Sequence, residues 1–300
     1  MSKRCGFVTI LGVPNVGKST LTNRLVGSKV SIVSPKVQTT RRRILGITLK
    51  GESQIVLVDT PGIFVPKKRL DRAMVSAAWG ASSETDLVLV MTDAHHPRQM
   101  ETREILDKAV KKSTNPVPVF LVINKIDLIP RDQLLALIAQ LSEDKKIDRV
   151  FLISAQKGDG VEDLLQELAE RMPEGPWLFP EDQLTDLPQR LLAAEMTREQ
   201  IYCLLHQEVP YAITVETESW EEFRNGSVKI SQVIYVQKEG QKAILLGKGG
   251  HQIKHIREAA ARELKELIGH PVHLFLHVKI SENWAEQRHH YTELGLEYDV

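Results

Sequence analysis

The sequence predicts a doubly wound α/β domain followed by a smaller α+β domain. Three observations carry that expectation. Apolar, β-rich runs alternate with helical segments through residues 5–171, and four prolines (Pro173, Pro176, Pro180, Pro188) then interrupt the pattern. Beyond them strands become a minority and connections shorten. At 300 residues the chain is also longer than one hydrophobic core usually serves. The boundaries fall at 1–173 for the first domain, 174–190 for a linker and 191–300 for the second domain with a short tail.

In the first domain strands are expected at 7–11, 44–49, 55–58, 87–91, 117–123 and 150–153. Most of these runs are continuous rather than alternating, as in strands covered on both faces of a largely parallel sheet. Helices are expected at 19–25, 71–83, 98–112, 131–141 and 160–171. In the second domain a helix at 189–206 precedes strands at 212–219 and 228–237. Two helices then flank a glycine cluster at 247–250, a strand covers 272–280, and a short helical tail follows. The helix after the glycines carries Ile253, Ile256, Ala260, Leu264 and Leu267 three or four residues apart, which makes a core-facing stripe.

Apolar residues at 42% and charged residues at 26% exclude a largely disordered, collagen-like or coiled-coil chain. No apolar run approaches the ~18 residues of a membrane-spanning helix. Lys3 and Arg4 before the apolar 7–11 run imitate a signal peptide, but the run is too short and reads as a buried strand. Cys5 and Cys203 each lie in an apolar stretch and are expected to be reduced, buried thiols of a cytosolic protein. Lys+Arg and Asp+Glu both total 39, so only local charge is informative. Residues 28–50 hold six basic and no acidic groups; 176–226 hold three basic and ten acidic; 227–280 hold nine basic, four acidic and five histidines. A charge run can be a solvated face or a contact for a polyanion.

After the first strand comes Gly12-Val13-Pro14-Asn15-Val16-Gly17-Lys18-Ser19, followed by Thr20. This is the G-x-x-x-x-G-K-[ST] pattern, between a strand and a helix as its mechanism requires. The glycines let successive backbone N–H groups point inward, Lys18 reaches β/γ-phosphate oxygens, and the Ser19 hydroxyl can ligate Mg²⁺. The following helix aims its positive end at the phosphates. Three further segments select the nucleotide. Asp59-Thr60-Pro61-Gly62 follows the third strand; its carboxylate can hold Mg²⁺ through water, and the Gly62 amide can approach a γ-phosphate. Asn124-Lys125-Ile126-Asp127 follows the fifth strand, where a carboxylate accepts the N1–H and N2–H of guanine. Adenine lacks both donors and would leave that acid unpaired, at ~1–3 kcal/mol. After the sixth strand, Ser154-Ala155 offers a backbone amide to the guanine carbonyl.

GVPNVGKS, DTPG, NKID and SA resemble the phosphate-binding, switch and base-binding motifs of the translation-factor class of GTPases, and Gln38-Thr39-Thr40-Arg41 resembles the first switch of that class. The resemblance implies a P-loop GTPase domain that binds GTP or GDP through residues 12–20, 59–63, 124–127 and 154–155. It implies Mg²⁺ held by Ser19, Asp59 and Thr40, with Thr39 the competing choice, and catalytic contributions from Lys18, Thr40, Gly62 and Asn15. Lys125 would lie along the guanine face. Some GTPases place a glutamine after D-x-x-G to orient the attacking water. Here Ile63 stands there, so slow intrinsic hydrolysis is expected, accelerated by a partner or an ion. Asn15 resembles the P-loop asparagine with which related GTPases recruit K⁺.

In the second domain the glycine cluster reads Gly247-Lys248-Gly249-Gly250, with Lys254 and Arg257 on the helix behind it. A G-x-x-G loop between two helices lets a nucleic-acid backbone approach closely while Lys248 meets a phosphate; KH modules clamp about four nucleotides this way. A plain helix–helix turn can carry the same glycines. The order helix, two strands, helix, GxxG, helix, strand matches the type II KH arrangement, so single-stranded RNA is the expected ligand and DNA is not. Histidines at 251, 255, 270, 273 and 277 are expected to be surface or RNA-facing groups rather than metal ligands.

A GTPase domain followed by a type II KH domain resembles the Era family of bacterial GTPases, over nearly the whole chain and including 278–284. The resemblance implies a role in small (30S) ribosomal subunit maturation, with the KH domain on the 3′ end of 16S rRNA and nucleotide state governing release. It also implies a cytoplasmic protein, acting as a monomer, with loose peripheral contact to the inner membrane. The rivals are a P-loop kinase, an RNA scaffold that never turns its nucleotide over, and a membrane-associated GTPase.

Overall fold

A computed structural model describes residues 2–82, 85–111, 117–142, 147–205 and 209–300. The predicted helix ends at 83, 112 and 206 lie outside the described residues. The chain divides into two compact units: residues 1–31, 40–186 and 294–300 in one, residues 32–39 and 187–293 in the other.

The first unit is a six-stranded sheet flanked by helices. Its strands are β1 (Arg4–Gly12), β2 (Ile44–Lys50), β3 (Ser53–Asp59), β4 (Leu87–Asp93), β5 (Val119–Asn124) and β6 (Arg149–Leu152), in the order β2-β3-β1-β4-β5-β6. All neighbours pair in parallel except β2 with β3. That exception is a hairpin, closed by the two residues between Lys50 and Ser53, where Gly51 adopts the left-handed conformation such a turn needs. Every residue of β3, β4 and β5 is buried, which is why their apolar runs do not alternate. The helices are α1 (Lys18–Val26), α2 (Arg69–Ala81), α3 (Gln99–Lys111), α4 (Arg131–Ser142) and α5 (Val161–Arg171). Helix α2 starts two residues before its predicted position because the Asp71 carboxylate accepts the amides of Lys67 and Lys68, both at 3.0 Å.

Residues 174–186, expected as linker, pack within this first unit. Gln54, wholly buried on β3, holds them: its Oε1 accepts the amides of Leu178 and Phe179 at 2.9 and 3.0 Å, and its Nε2 donates to the Phe179 carbonyl. Trp177 adds an indole N–H bond to the Glu52 carbonyl. The tail 294–300 also belongs here, with the Arg69 guanidinium over the Tyr298 ring and Arg72 donating to the Val300 carbonyl. Of the two cysteines, Cys5 is buried as expected and its thiol is pushed up by burial. Cys203 is exposed, against expectation, because it lies in the last turn of its helix, beyond the stretch the fold surrounds.

The second unit contains α6 (Gln189–Leu204), β7 (Ile213–Glu222), β8 (Val228–Val236), α7 (Glu239–Leu246), α8 (His251–Ile268), β9 (Val272–Ile280) and α9 (Arg288–Glu293). Strands β7 and β8 are antiparallel, and β8 and β9 parallel. Of the predicted stripe on α8, Ile256, Ala260 and Leu264 are fully buried, whereas Leu267 near the helix end is exposed. Helix α6 is buried all round from Leu192 to Tyr202, polar residues included. Among its buried polar groups, Thr197 pairs with Gln232 at 2.6 Å and Arg198 with Glu195. Residues 32–39 pack in this unit against the same helix. Glu199 accepts the Val33 amide at 2.7 Å, Arg198 and Tyr202 donate to the carbonyls of Thr39 and Gln38, and Lys36 donates to the Tyr202 carbonyl.

Because three backbone bonds converge on one buried carboxamide, Gln54→Ala is expected to cost about 2–3 kcal/mol. Urea unfolding followed by tryptophan fluorescence reads this. An unchanged midpoint would show that residues 177–179 hold their place without it.

Candidate functional site

The loops after β1, β3, β5 and β6 all leave the sheet at strand carboxyl ends, where ligands sit in doubly wound folds. The loop after β1 is shaped by left-handed residues Asn15 and Gly17, the latter capping α1. A Cβ on Gly17 would lie 2.3 Å from the Asn124 side chain, and one on Gly62 would lie 2.7 Å from Pro14, so both positions require glycine. The Ile63 amide donates to the Gly12 carbonyl at 3.0 Å, closing the second loop onto the first. Val13 and Val16 point into the core, and the Thr60 hydroxyl donates to the Ile10 carbonyl. These three contribute backbone to the site while their side chains build the scaffold.

Lys18 is buried, its Nζ 3.2 Å from the carbonyls of Gly12 and Val13. Burial lowers its pKa to about 8, opposed by the nearby Asp59. Asp59 ends β3 fully buried. Its Oδ2 accepts the hydroxyls of Ser19 at 2.6 Å and Ser31 at 2.7 Å, while Oδ1 has no hydrogen-bond partner. Burial raises its carboxyl above the usual range, against those hydroxyls and Lys18. The Thr40 hydroxyl lies 2.9 Å from that of Ser19. Thr39 is not brought here: its hydroxyl bonds Ser34 and the Lys36 carbonyl. Ser19, Thr40 and Asp59 thus form an oxygen-only cluster with one unsatisfied buried acceptor, a donor set that fits a hard cation such as Mg²⁺.

At the far end of the loop, the Asn124 carboxamide donates to the Val16 carbonyl at 2.8 Å and accepts the Ala155 amide at 2.9 Å. Lys125, itself left-handed, donates to the Asn15 carbonyl and to Asp93 at 2.6 Å. Asp127 is half-buried; the Ser154 hydroxyl holds its carboxyl below the usual range, with Lys157 3.3 Å away. The Ser154 and Ala155 amides donate to the Asp159 carbonyl and to the Asn124 carboxamide oxygen, which braces the loop after β6. Ser31, Asp93 and Lys157 are residues that sequence reasoning missed. Asp93 was findable as a carboxylate at a strand's carboxyl end; Ser31 reaches Asp59 through folding alone.

In the second unit, Gly247, Gly249 and Gly250 have left-handed φ, and Gly250 caps α8. Lys248, Lys254 and Arg257 are exposed. The last two lie 3.8–3.9 Å from Glu258, as surface pairs that contribute little and release easily to a polyanion. Two features had no sequence signal: exposed Ile244 on α7, three residues before the loop, and exposed Phe275 between His273 and His277 on the outer face of β9. Of the two, the Phe275 ring has the aromatic face that base stacking needs.

The 50S ribosome-binding GTPase family matches residues 7–125, and the KH domain family matches residues 208–285. GTPase Era of Afipia carboxidovorans is 57% identical over 297 residues, covering 98% of this chain and 95% of that protein. GTPase Era of Bradyrhizobium sp. ORS 278 is 55% identical over 295 residues with the same coverage. Among solved structures, Era in complex with MgGDPNP and nucleotides 1506–1542 of 16S ribosomal RNA is similar at a TM-score of 0.92 and 40% identity, covering 99% of this chain and all of that one. A variant of Aquifex aeolicus Era bound to GDP·AlF4⁻ is similar at a TM-score of 0.90 and 40% identity, with the same coverage.

Burying the Lys18 charge without a phosphate is costly, so Lys18→Met is expected to raise the thermal midpoint of the nucleotide-free protein while abolishing GTP binding. The unfolded chain binds the Lys18 proton more tightly than the folded one, so folded stability rises with pH. The gap between the variant and the parent should therefore close from pH ~8 towards the ordinary lysine value. A gap independent of pH would assign the effect to packing.

Proposed function

The chain belongs to the Era family of GTPases, and on that premise we propose that it is a GTP-driven switch that holds the single-stranded 3′ end of 16S rRNA and assists small-subunit maturation. One observation supports this above the others. A chain matched over 98% of its length by Era GTPases holds both a Lys18–Ser19–Thr40–Asp59 nucleotide site and a GxxG loop flanked by exposed cations.

The residues divide the work by chemistry. The Lys18 ammonium, stripped of water, balances β- and γ-phosphate charge far better than a solvated lysine would. Ser19, Thr40 and Asp59 would hold Mg²⁺, which neutralises phosphate charge when bound. The Asp127 carboxylate, kept ionised by Ser154, accepts the two guanine N–H donors, and the Lys125 stem lies along the base. Ile63 has no polar atom with which to orient water, so intrinsic turnover is slow. RNA, or K⁺ recruited beside Asn15, would supply the acceleration.

Coupling follows from the segment resembling the first switch. Thr40 stays with Ser19, while residues 32–39 are held by α6 of the KH-bearing unit. A γ-phosphate that orders Thr40 therefore acts on a segment the KH unit also grips, and the coupling must be reciprocal. No helix among the described residues is long and apolar enough to cross a membrane. We place the protein in the cytoplasm as a monomer, with RNA rather than DNA as its nucleic acid and peripheral inner-membrane contact through basic patches.

The test is GTP turnover in potassium and in sodium buffer, with and without single-stranded RNA matching the 16S 3′ end, and with ATP as control. Stimulation by that RNA, greater in potassium, with ATP inert, is the expected result. Turnover without RNA binding would remove the KH assignment, and equal RNA affinity in the GDP and GTP-analogue forms would remove the switch. Asp127→Asn is expected to weaken GTP binding about 10–100-fold and to favour xanthosine triphosphate, whose C2 carbonyl accepts the new amide N–H. Unchanged GTP affinity would place the base elsewhere.

A further inference from the structure

One cluster of chemistry-bearing side chains stands outside the proposed function. In the second unit, Glu216 on β7 meets His289 and His290 on α9. We propose that these three residues, with Glu293 beside them, bind one divalent transition-metal ion, Zn²⁺ being the ion that best suits the donors.

The geometry carries the argument. His290 Nδ1 lies 2.6 Å from Glu216 Oε1, His289 Nε2 lies 4.0 Å from the same oxygen, and all three donor atoms fall within 4.8 Å of one another. Ligands about 2.0–2.1 Å from a tetrahedral Zn²⁺ stand ~3.3 Å apart, inside that range. His290 Nδ1 and Glu216 Oε1 are both buried, and neither has a well-aligned hydrogen-bond partner, which leaves both atoms open to an ion between them.

The surroundings agree. The rings of His289 and His290 lie with centroids 3.8 Å apart and tilted by 40°, which holds the two imidazoles together beside Glu216. Glu293 lies within hydrogen-bonding reach of Glu216 and brings a second carboxylate to the cluster. Tyr235 and Trp284 close over His290 edge-on, at 5.6 and 5.8 Å between centroids, so the site has a dry back wall and an open side at exposed His289. Two imidazoles with carboxylates suit Zn²⁺, whereas Mg²⁺ and Ca²⁺ take oxygen ligands. A bound ion would pin the C-terminal helix α9 to the sheet, as structural metals tie short elements to a core.

The experiment uses the full chain, stripped of transition metals and loaded with GDP in excess Mg²⁺. Zn²⁺ is titrated against a chromophoric chelator, and the thermal midpoint is followed alongside. One equivalent bound, with a midpoint several degrees higher, is expected. His289→Ala removes an exposed side chain and Glu216→Gln preserves shape, so both should fold, and each should weaken Zn²⁺ binding at least about tenfold. Absence of a one-equivalent site in the parent chain, or unchanged affinity in both variants, would overturn the proposal and leave Glu216 and His290 as an ion pair alone.

Discussion

The nucleotide site depends first on one carboxamide. Asn124 stands at the end of β5, where it reaches the loop after β1 through Val16 and the loop after β6 through Ala155. Three strand ends are thereby fixed by a single buried side chain that donates once and accepts once. The position of Gly17 follows, because no side chain fits between the loop and that amide. An aspartate would lose the donor to Val16 and add a buried charge; a leucine would leave two buried backbone groups unpaired.

On this frame the protein holds two buried ionisable groups in an uncomfortable state. Lys18 is loosened from its proton and Asp59 is pressed towards keeping one, and their mutual attraction does not offset burial. Such a site is preorganised for a ligand carrying both a dense negative charge and a cation. The binding energy of a metal–triphosphate complex relieves strain already present in the fold, and a neutral ligand relieves none of it.

Much of this was legible in the sequence because it rests on local rules. Continuous apolar runs gave β3, β4 and β5, buried at every position, and the glycine spacing gave both loops. The unit boundaries were less legible. The prolines between 173 and 188 do break helix, but whether a broken stretch hangs free or packs depends on Gln54, a residue some 120 positions away with no signature of its own. Helix α6 shows the opposite failure: a polar sequence that reads as a solvated face is buried, with Thr197 paired to Gln232 and Arg198 to Glu195. The Thr39 and Thr40 ambiguity was local and could not be resolved locally; the two hydroxyls part because one is taken into a turn with Ser34.

The grip of α6 on residues 32–39 has a consequence for what counts as the GTPase. Cutting the chain at the proline-rich stretch would yield a tidy sheet with every phosphate-binding motif intact, yet the peptide just before Thr40 would lose its carbonyl and amide partners. The conformational entropy of about eight residues would then be charged to nucleotide binding. The triphosphate and diphosphate states of such a fragment would differ less than those of the whole chain. The minimal motif-bearing domain and the minimal switch are different lengths of this polypeptide.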